Sequence, residues 1–161
     1  MAELVAPHAP TSWITRVRAR YLKLRSLLEG TPLSLIQLAM RISIGFVFFN
    51  SGLLKARSFE FAVKLFEAEY RLPLLPPELA ARLAMSVEIV VPIFLFVGLA
   101  TRLATLPLLG MVLVIQVLVY PQAWVEHLLW ASVLVVLLTR GAGVLSLDHF
   151  IERALARRHP R

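Results

Sequence analysis

The chain has 161 residues, of which 58% are hydrophobic and 17% are charged, and its mean hydropathy is +0.75. Soluble domains carry about 25% charged residues, so this composition predicts an integral membrane protein and excludes an ordinary soluble domain. The absence of cysteine excludes disulfides, thiol redox chemistry, iron–sulfur clusters and thiolate metal sites. The net charge of +7 comes with basic residues that flank apolar segments, which favours contact with anionic lipid. We therefore expect a lipid bilayer and no nucleic acid as a partner.

The N-terminal region, residues 1–31, is predicted to be a cytoplasmic tail followed by a basic amphipathic helix. Residues 1–10 contain two prolines, no hydrophobic pattern and no signal peptide, and we expect them to be disordered. From Ser12 to Glu29, Trp13, Val17 and Tyr21 recur at helical spacing among four arginines and a lysine. Such a helix lies in the membrane interface. The alternative is a solvated lead-in with a purely topological role.

Four apolar segments predict an all-α fold, an integral membrane four-helix bundle over residues 32–140. The expected helices span about 32–55, 78–99, 103–120 and 124–139. At 1.5 Å per residue, helices of this size approach or reach the roughly 30 Å thickness of a bilayer core. The connection 56–78 is predicted to contain a short helix on the bilayer surface. Residues 141–161 are predicted to form a cytoplasmic amphipathic tail.

Charge asymmetry predicts the orientation. Basic residues precede the first span, Arg102 lies in the second turn, and Arg140 begins a further basic group after the fourth span. An even number of crossings places all three groups on one side. By the positive-inside rule, we expect a multi-pass protein of the bacterial cytoplasmic (inner) membrane with both termini in the cytoplasm.

Arg41 and Glu88 lie near the middle of the first and second spans. A charge at that depth costs a few kcal/mol, so each residue needs a partner. Each lies about ten residues into its antiparallel helix, and we therefore predict a buried Arg41–Glu88 ion pair. Two interpretations remain open: a charged floor to a ligand cavity or proton-linked site, and an ion pair that only locks the helices together.

A second polar group is predicted near the outer membrane surface, where Asn50, Lys55, Gln116 and His127 are expected at the outer ends of spans one, three and four. Asn50, Gln116 and His127 converging above Arg41 and Glu88 would offer hydrogen-bond donors in an aromatic-walled slot. Because quinone carbonyl oxygens only accept, such a slot suits a quinone head group. The predicted cofactor-binding residues are Arg41, Asn50, Lys55, Glu88, Gln116, His127 and Trp130.

Simpler interpretations of the same residues stay open. Lys55 would alternatively extend its ammonium group to the interface, and Trp130 would alternatively serve only for packing. His127 would alternatively be a packed or interfacial histidine, and a lone histidine does not predict a metal site. No covalent cofactor is expected, and a quinone is the expected candidate ligand.

The chain resembles the DoxX family of small four-helix bacterial membrane proteins over about residues 35–152. The residues that carry the resemblance are Arg41 with Gly45, Ser51-Gly52-x-x-Lys55, Tyr70-x-x-Pro73, Glu88, Gly98-Leu99-x-Thr101-Arg102, His127-x-x-Trp130 and Gly141-x-Gly143-x-x-Ser146-x-Asp148. The resemblance implies a four-helix bundle. It also implies a link to membrane redox systems, since members include membrane subunits of thiosulfate:quinone oxidoreductase.

Three functional hypotheses follow. The first is an accessory, quinone-interacting membrane subunit of a redox system rather than an autonomous enzyme, with protein partners or a second copy of the chain. The second is a non-catalytic scaffold or assembly subunit of a multiprotein complex. The third is a small-solute or metal-handling transporter, which the short chain and the discontinuous polar residues make the least favoured.

Overall fold

The computed structural model of the protein describes residues 13–158. The chain divides into two compact units, Met1–Pro32 and Leu33–Arg161. The prediction of disorder for residues 1–10 lies outside the described residues.

The described part of the first unit is a single helix, α1 (Trp13–Glu29), which contains no buried residue. Its exposed apolar side chains include Trp13, Val17 and Tyr21. Near its end, Arg25 donates a hydrogen bond to Glu29 at 2.7 Å, one turn further along the helix. The predicted helix is therefore present, and its placement in a membrane interface stays a prediction.

The second unit contains six α-helices within its described residues. They are α2 (Leu33–Arg57), α3 (Phe59–Leu65), α4 (Pro77–Val97), α5 (Thr101–Val114), α6 (Trp124–Arg140) and α7 (Leu147–Arg158). A π-helical turn, Ile115–Val119, extends α5, and a 3-10 turn, Pro121–Ala123, precedes α6. With these extensions, four helical segments are long and apolar enough to cross a membrane. The predicted all-α membrane bundle is confirmed.

The four long helices pack in a closed order. α2 packs against α4, α4 against α5, and α5 against α6, which returns to α2. Their shared core includes Ile44 and Phe48 from α2 and Leu95, Leu108 and Leu134 from the other three helices. Each side chain in this core is nearly inaccessible. Many other large apolar side chains of the four helices are exposed on the outside of the bundle, as expected of helices surrounded by lipid.

The connection between α2 and α4 folds back onto the bundle. α3 continues into a π-helical turn, Phe66–Tyr70, and Ala62 and Phe66 are buried against Ala80 and Ala81 of α4. The predicted short helix is present. Its apolar face packs on protein, and this packing holds Tyr70 beside the bundle.

The segment after α6 is joined to the bundle by side-chain hydrogen bonds, and α7 lies within the predicted C-terminal tail, residues 141–161. Gln37 Nε2 donates to the carbonyls of Arg140 and Gly141 at 3.2 and 3.1 Å. Asp148 accepts the backbone N–H groups of Ala100 and Thr101 at 2.6 and 3.0 Å. The acid thus caps the start of α5, where a negative charge is favourable.

Arg41 connects the last turn of α4 to this same segment. Its guanidinium group donates to the carbonyl of Leu95 at 3.3 Å and to that of Leu145 at 2.5 Å, and the side chain is fully buried. Gly98 ends α4 with φ +69°, and a Cβ at that position would collide with the guanidinium group. Glycine is therefore required there both for the left-handed backbone and for the close approach of Arg41.

Candidate functional site

A cavity of about 460 Å³ lies among the four long helices at the end of the bundle that carries α3. Its walls are mainly apolar, and its polar residues are few: Ser51, Lys55, Tyr70, Glu88, Tyr120, Glu126 and His127. A mostly apolar cavity of this size with a small set of convergent polar groups is typical of small-molecule sites. We call it the outer cavity, because the sequence predicts that this end of the spans lies near the outer membrane surface.

On one side of the outer cavity, Lys55 of α2 and Glu88 of α4 form a buried ion pair. Lys55 Nζ lies 2.8 Å from Oε2 of Glu88 and donates a hydrogen bond to Oε1 at 3.0 Å. Ser51, one turn before Lys55, donates to the same Oε1 at 3.2 Å and accepts from Lys55 Nζ at 2.9 Å. The three residues form a closed polar group in which the two charges compensate each other.

The predicted Arg41–Glu88 pair was wrong, because the two residues lie at different depths. Gly52 of α2 lies directly against Glu88, and Gly45 lies against Phe96. Glu88 is therefore level with Gly52, eleven residues from Arg41 and about 16 Å along the helix at 1.5 Å per residue. Counting from the ends of the spans failed because the first turns of α2 extend beyond α4 to the segment after α6.

His127 of α6 is buried and contributes to the cavity lining. Its Nδ1 lies 2.7 Å from Oε1 of Gln116, which itself is outside the lining. Gln116 Nε2 donates to the carbonyl of Pro121 at 2.9 Å, which fixes the orientation of the amide. The predicted proximity of Gln116 and His127 is confirmed, and Gln116 acts through His127 because it positions the imidazole ring.

Aromatic side chains form part of the cavity wall. The ring of Trp130 lies 5.4 Å from that of His127 and 5.9 Å from that of Phe48, measured between centroids. Edge and tilted contacts of this kind hold aromatic rings in place. Trp130 and Phe48 therefore belong to the cavity, whereas Phe46 is exposed and contacts Phe96 elsewhere on the bundle surface.

Two of the predicted site residues lie elsewhere. Asn50 is exposed on α2 and does not belong to the cavity lining, so its predicted convergence with Gln116 and His127 was wrong. The helical spacing explains this, because Ser51 and Lys55 face the cavity and Asn50 is rotated about 100° from Ser51. Arg41 lies toward the other end of the bundle from the outer cavity, with the contacts described above.

Two tyrosines line the cavity where the helical connections meet. The rings of Tyr70 and Tyr120 pack edge to face at 5.8 Å, and the Tyr120 hydroxyl donates to Glu69. This hydrogen bond is the main reason, and partial burial the second, that the pKa of Tyr120 is raised well above its ordinary value. Burial is also the main reason that the pKa of Tyr70 is raised. Both phenols therefore stay protonated at physiological pH and hold the α3 connection against the turn before α6.

Tyr70 and Tyr120 were not recognised as site residues from the sequence, and Ser51 was recognised only within the Ser51-Gly52-x-x-Lys55 pattern. The spacing of four between Ser51 and Lys55 was a usable signal, since it places both on one helix face. The contact between Tyr70 and Tyr120 had no local signal, because fifty residues separate them and π-helical turns set their positions.

With this geometry established, comparison with known proteins identifies the family. The DoxX family model matches residues 36–121, which is more than half of the chain. The protein belongs to the DoxX family. The family consists typically of membrane proteins associated with redox and quinone systems, and the four apolar helices make this chain a multi-pass member. No curated protein and no solved structure matches the chain significantly.

Proposed function

We propose that this DoxX protein is an accessory membrane subunit of a redox system and that its outer cavity binds the head group of a quinone-class lipid. The observation that carries the proposal is the presence of the Lys55–Glu88 pair and His127 in one cavity whose remaining walls are largely apolar. A quinone-class molecule has this same combination of polar ring substituents and an apolar body.

The polar groups come from three different helices, which supports a binding role. Ser51 and Lys55 lie on α2, Glu88 on α4 and His127 on α6. An ion pair that only locked two helices together would not require an imidazole from a third helix in the same cavity. The aromatic contacts of Trp130 supply a flat apolar wall against which a ring can pack.

The proposal assigns a binding role and leaves electron transfer to a partner. The chain has no cysteine, and residues 13–158 contain no group of three or more acidic or histidine side chains suited to a metal ion. The electrons of a bound quinone would therefore be exchanged with a redox partner of the complex.

We further propose the orientation in the inner membrane. The beginning of α2, Arg102, Arg140 and the start of α7 lie at one end of the bundle, opposite the outer cavity, and the basic residues there favour the cytoplasm. Reporter fusions at the C-terminus and in the 71–76 connection test this. Cytoplasmic reporter activity at the C-terminus and periplasmic activity at the connection are expected, and the reverse pattern would contradict the proposal.

The binding proposal is tested with purified full-length protein in lipid nanodiscs. A short-chain benzoquinone is titrated in its oxidised and reduced states, and binding is measured by equilibrium dialysis. Glu88→Gln and His127→Ala are expected to weaken binding of the better-bound state at least about tenfold, which corresponds to 1.4 kcal/mol.

Asn50→Ala is the matched control, because this exposed polar residue lies on α2 outside the cavity and its loss should leave binding unchanged. Thermal unfolding of each variant identifies any that fails to fold. Failure of the wild-type protein to bind either redox state would overturn the proposal. So would unchanged binding in both folded cavity variants, because the quinone would then bind outside the outer cavity.

A further inference from the structure

We infer that the outer cavity selects the reduced, hydroxyl-bearing form of its ligand, a quinol, over the matching quinone. This inference rests on the function proposed above and concerns hydrogen-bond polarity. The two forms share a ring and substituents of similar shape. They differ in that quinone oxygens only accept hydrogen bonds, whereas quinol hydroxyls both donate and accept. The polarity of the free polar atoms in the cavity therefore decides between them.

The contacts of Gln116 determine which nitrogen of His127 carries the proton. Because the Pro121 carbonyl only accepts, the amide group facing it must be the Nε2 of Gln116. The amide oxygen then faces Nδ1 of His127 at 2.7 Å, so Nδ1 must be the donor. A neutral imidazole has a single N–H. Nε2, the nitrogen left for a ligand, is therefore an acceptor.

The polar group on the other side of the cavity also presents an acceptor. Lys55 donates hydrogen bonds to Ser51 Oγ at 2.9 Å and to Oε1 of Glu88 at 3.0 Å, and its Nζ lies 2.8 Å from Oε2. The Ser51 hydroxyl donates to Glu88 Oε1. Glu88 Oε2 is buried and, although it lies in the ion pair, has no partner with hydrogen-bond geometry within residues 13–158. Two of the three Lys55 N–H bonds and the Ser51 hydroxyl proton are thus used within this group, and Oε2 of Glu88 keeps acceptor capacity.

These assignments favour a ligand that donates. A quinone oxygen beside Nε2 of His127 or Oε2 of Glu88 would place two acceptors together with no proton to form a hydrogen bond. A quinol hydroxyl donates to either atom. Trp130 also lines the cavity, and its indole N–H is a donor from which a hydroxyl can accept as well. The quinol therefore satisfies groups of both polarities, whereas the quinone satisfies donors alone.

The inference reverses the expectation from the sequence, which predicted a cluster of donors suited to quinone carbonyls. Asn50, Gln116 and His127 were the residues expected to donate to the ligand. In the structure, Lys55 donates to Glu88 and Ser51, and Gln116 directs its amide N–H away to Pro121. The groups that remain for the ligand at these two pairs include the acceptors Nε2 of His127 and Oε2 of Glu88.

The test compares a short-chain benzoquinol, the matching quinone and the dimethyl ether of the quinol, with full-length protein in nanodiscs under anaerobic, reducing or non-reducing conditions. The ether keeps the shape of the quinol and removes its donors. We expect the quinol to bind about tenfold more tightly than either of the others, the effect of roughly one good hydrogen bond to a charged or buried partner.

A pair of substitutions at Gln116 tests the tautomer argument. Gln116→Leu removes the acceptor beside Nδ1, frees His127 to carry its proton on Nε2, and should reduce the quinol preference to about threefold or less. Gln116→Glu keeps an oxygen acceptor at that position and should retain the preference. Thermal unfolding in the absence of ligand confirms that both variants fold.

The outcomes separate this inference from the function on which it rests. Equal binding of quinol and quinone by the wild-type protein would overturn the inference and leave the proposed function standing. Binding of neither form would overturn both. Equal affinity for the quinol and its ether, or a full preference retained in Gln116→Leu, would show that hydrogen-bond donation to His127 is not the cause.

Discussion

Lys55 on α2 and Glu88 on α4 form an ion pair in which Nζ lies 2.8 Å from Oε2, with side chains that are 11% and 5% exposed. This pair, and not one between Arg41 and Glu88, compensates the buried carboxylate. The first and second spans pack closely at the level of this pair, because Gly52 has no side chain and allows the backbone of α2 to approach Glu88. The same pair supplies the polar side of the outer cavity.

Removing one member of this pair is expected to destabilise the bundle more than removing both. Lys55→Met leaves a buried, uncompensated carboxylate and should cost about 3 kcal/mol or more, whereas the double substitution with Glu88→Met should recover much of that loss. Unfolding in detergent, followed by circular dichroism, measures the difference. If the double variant is as unstable as the sum of the single ones, the two charges do not interact as described.

Arg41→Leu should loosen the segment after α6. The substitution removes the donors to Leu95 and Leu145, each a charge-assisted hydrogen bond worth about 1.5–3 kcal/mol. We expect faster hydrogen exchange in residues 141–148 and little change in α3. Arg57→Leu, at the exposed end of the same helix, serves as the control. Unchanged exchange in 141–148 would show that Asp148 and Gln37 suffice to hold this segment.

Gly98→Ala should destabilise the protein by at least about 1–2 kcal/mol, the cost of a side chain in left-handed backbone, with a further cost from displacing Arg41. Gly110 offers a matched control, since a Cβ there meets no atom within 4 Å. Gly110→Ala lies in the middle of α5 and should be neutral or stabilising by up to about 1 kcal/mol. Thermal unfolding compares the two, and equal effects would contradict the contact between Gly98 and Arg41.

The hydrogen bond from Tyr120 to Glu69 predicts a loss of stability at high pH. The folded-state pKa of Tyr120 is raised above the unfolded value of about 10, so its contribution is complete below pH 10 and is lost as the pH rises through the folded-state value. Tyrosinate absorbance should rise at a lower pH in Glu69→Gln than in the wild type. Glu67→Gln, an exposed neighbour, is the control. Identical titration curves for wild type and Glu69→Gln would exclude this hydrogen bond.

The fold was predictable from the sequence because spans are specified by composition and length. Four apolar segments, the glycine at Gly98 and the prolines before α4 and α6 indicate the helices within a few residues, since a bilayer requires its spans to satisfy their own backbone hydrogen bonds. The predicted bounds differ by two residues at the end of α2, at the end of α4 and at the start of α5.

The candidate site was predictable only in part. Glu88, Lys55, His127 and Trp130 were recognised because polar or aromatic groups in apolar spans are conspicuous, and all four line the outer cavity. Their pairing was not recognised. The register between α2 and α4 depends on the close contacts of Gly45 and Gly52, which a count from the helix ends does not reveal.

The sequence by itself determined that this chain crosses a membrane four times, because hydropathy and segment length depend on composition alone. It also determined which polar residues had to find partners inside the bundle. Only the tertiary structure decided which groups those partners are. Glu88 forms an ion pair with Lys55, Arg41 donates to two backbone carbonyls, and Gln116 forms a hydrogen bond with His127. The physical reason is that helix register and rotation arise from packing between helices, and these decide which polar atoms remain for a ligand.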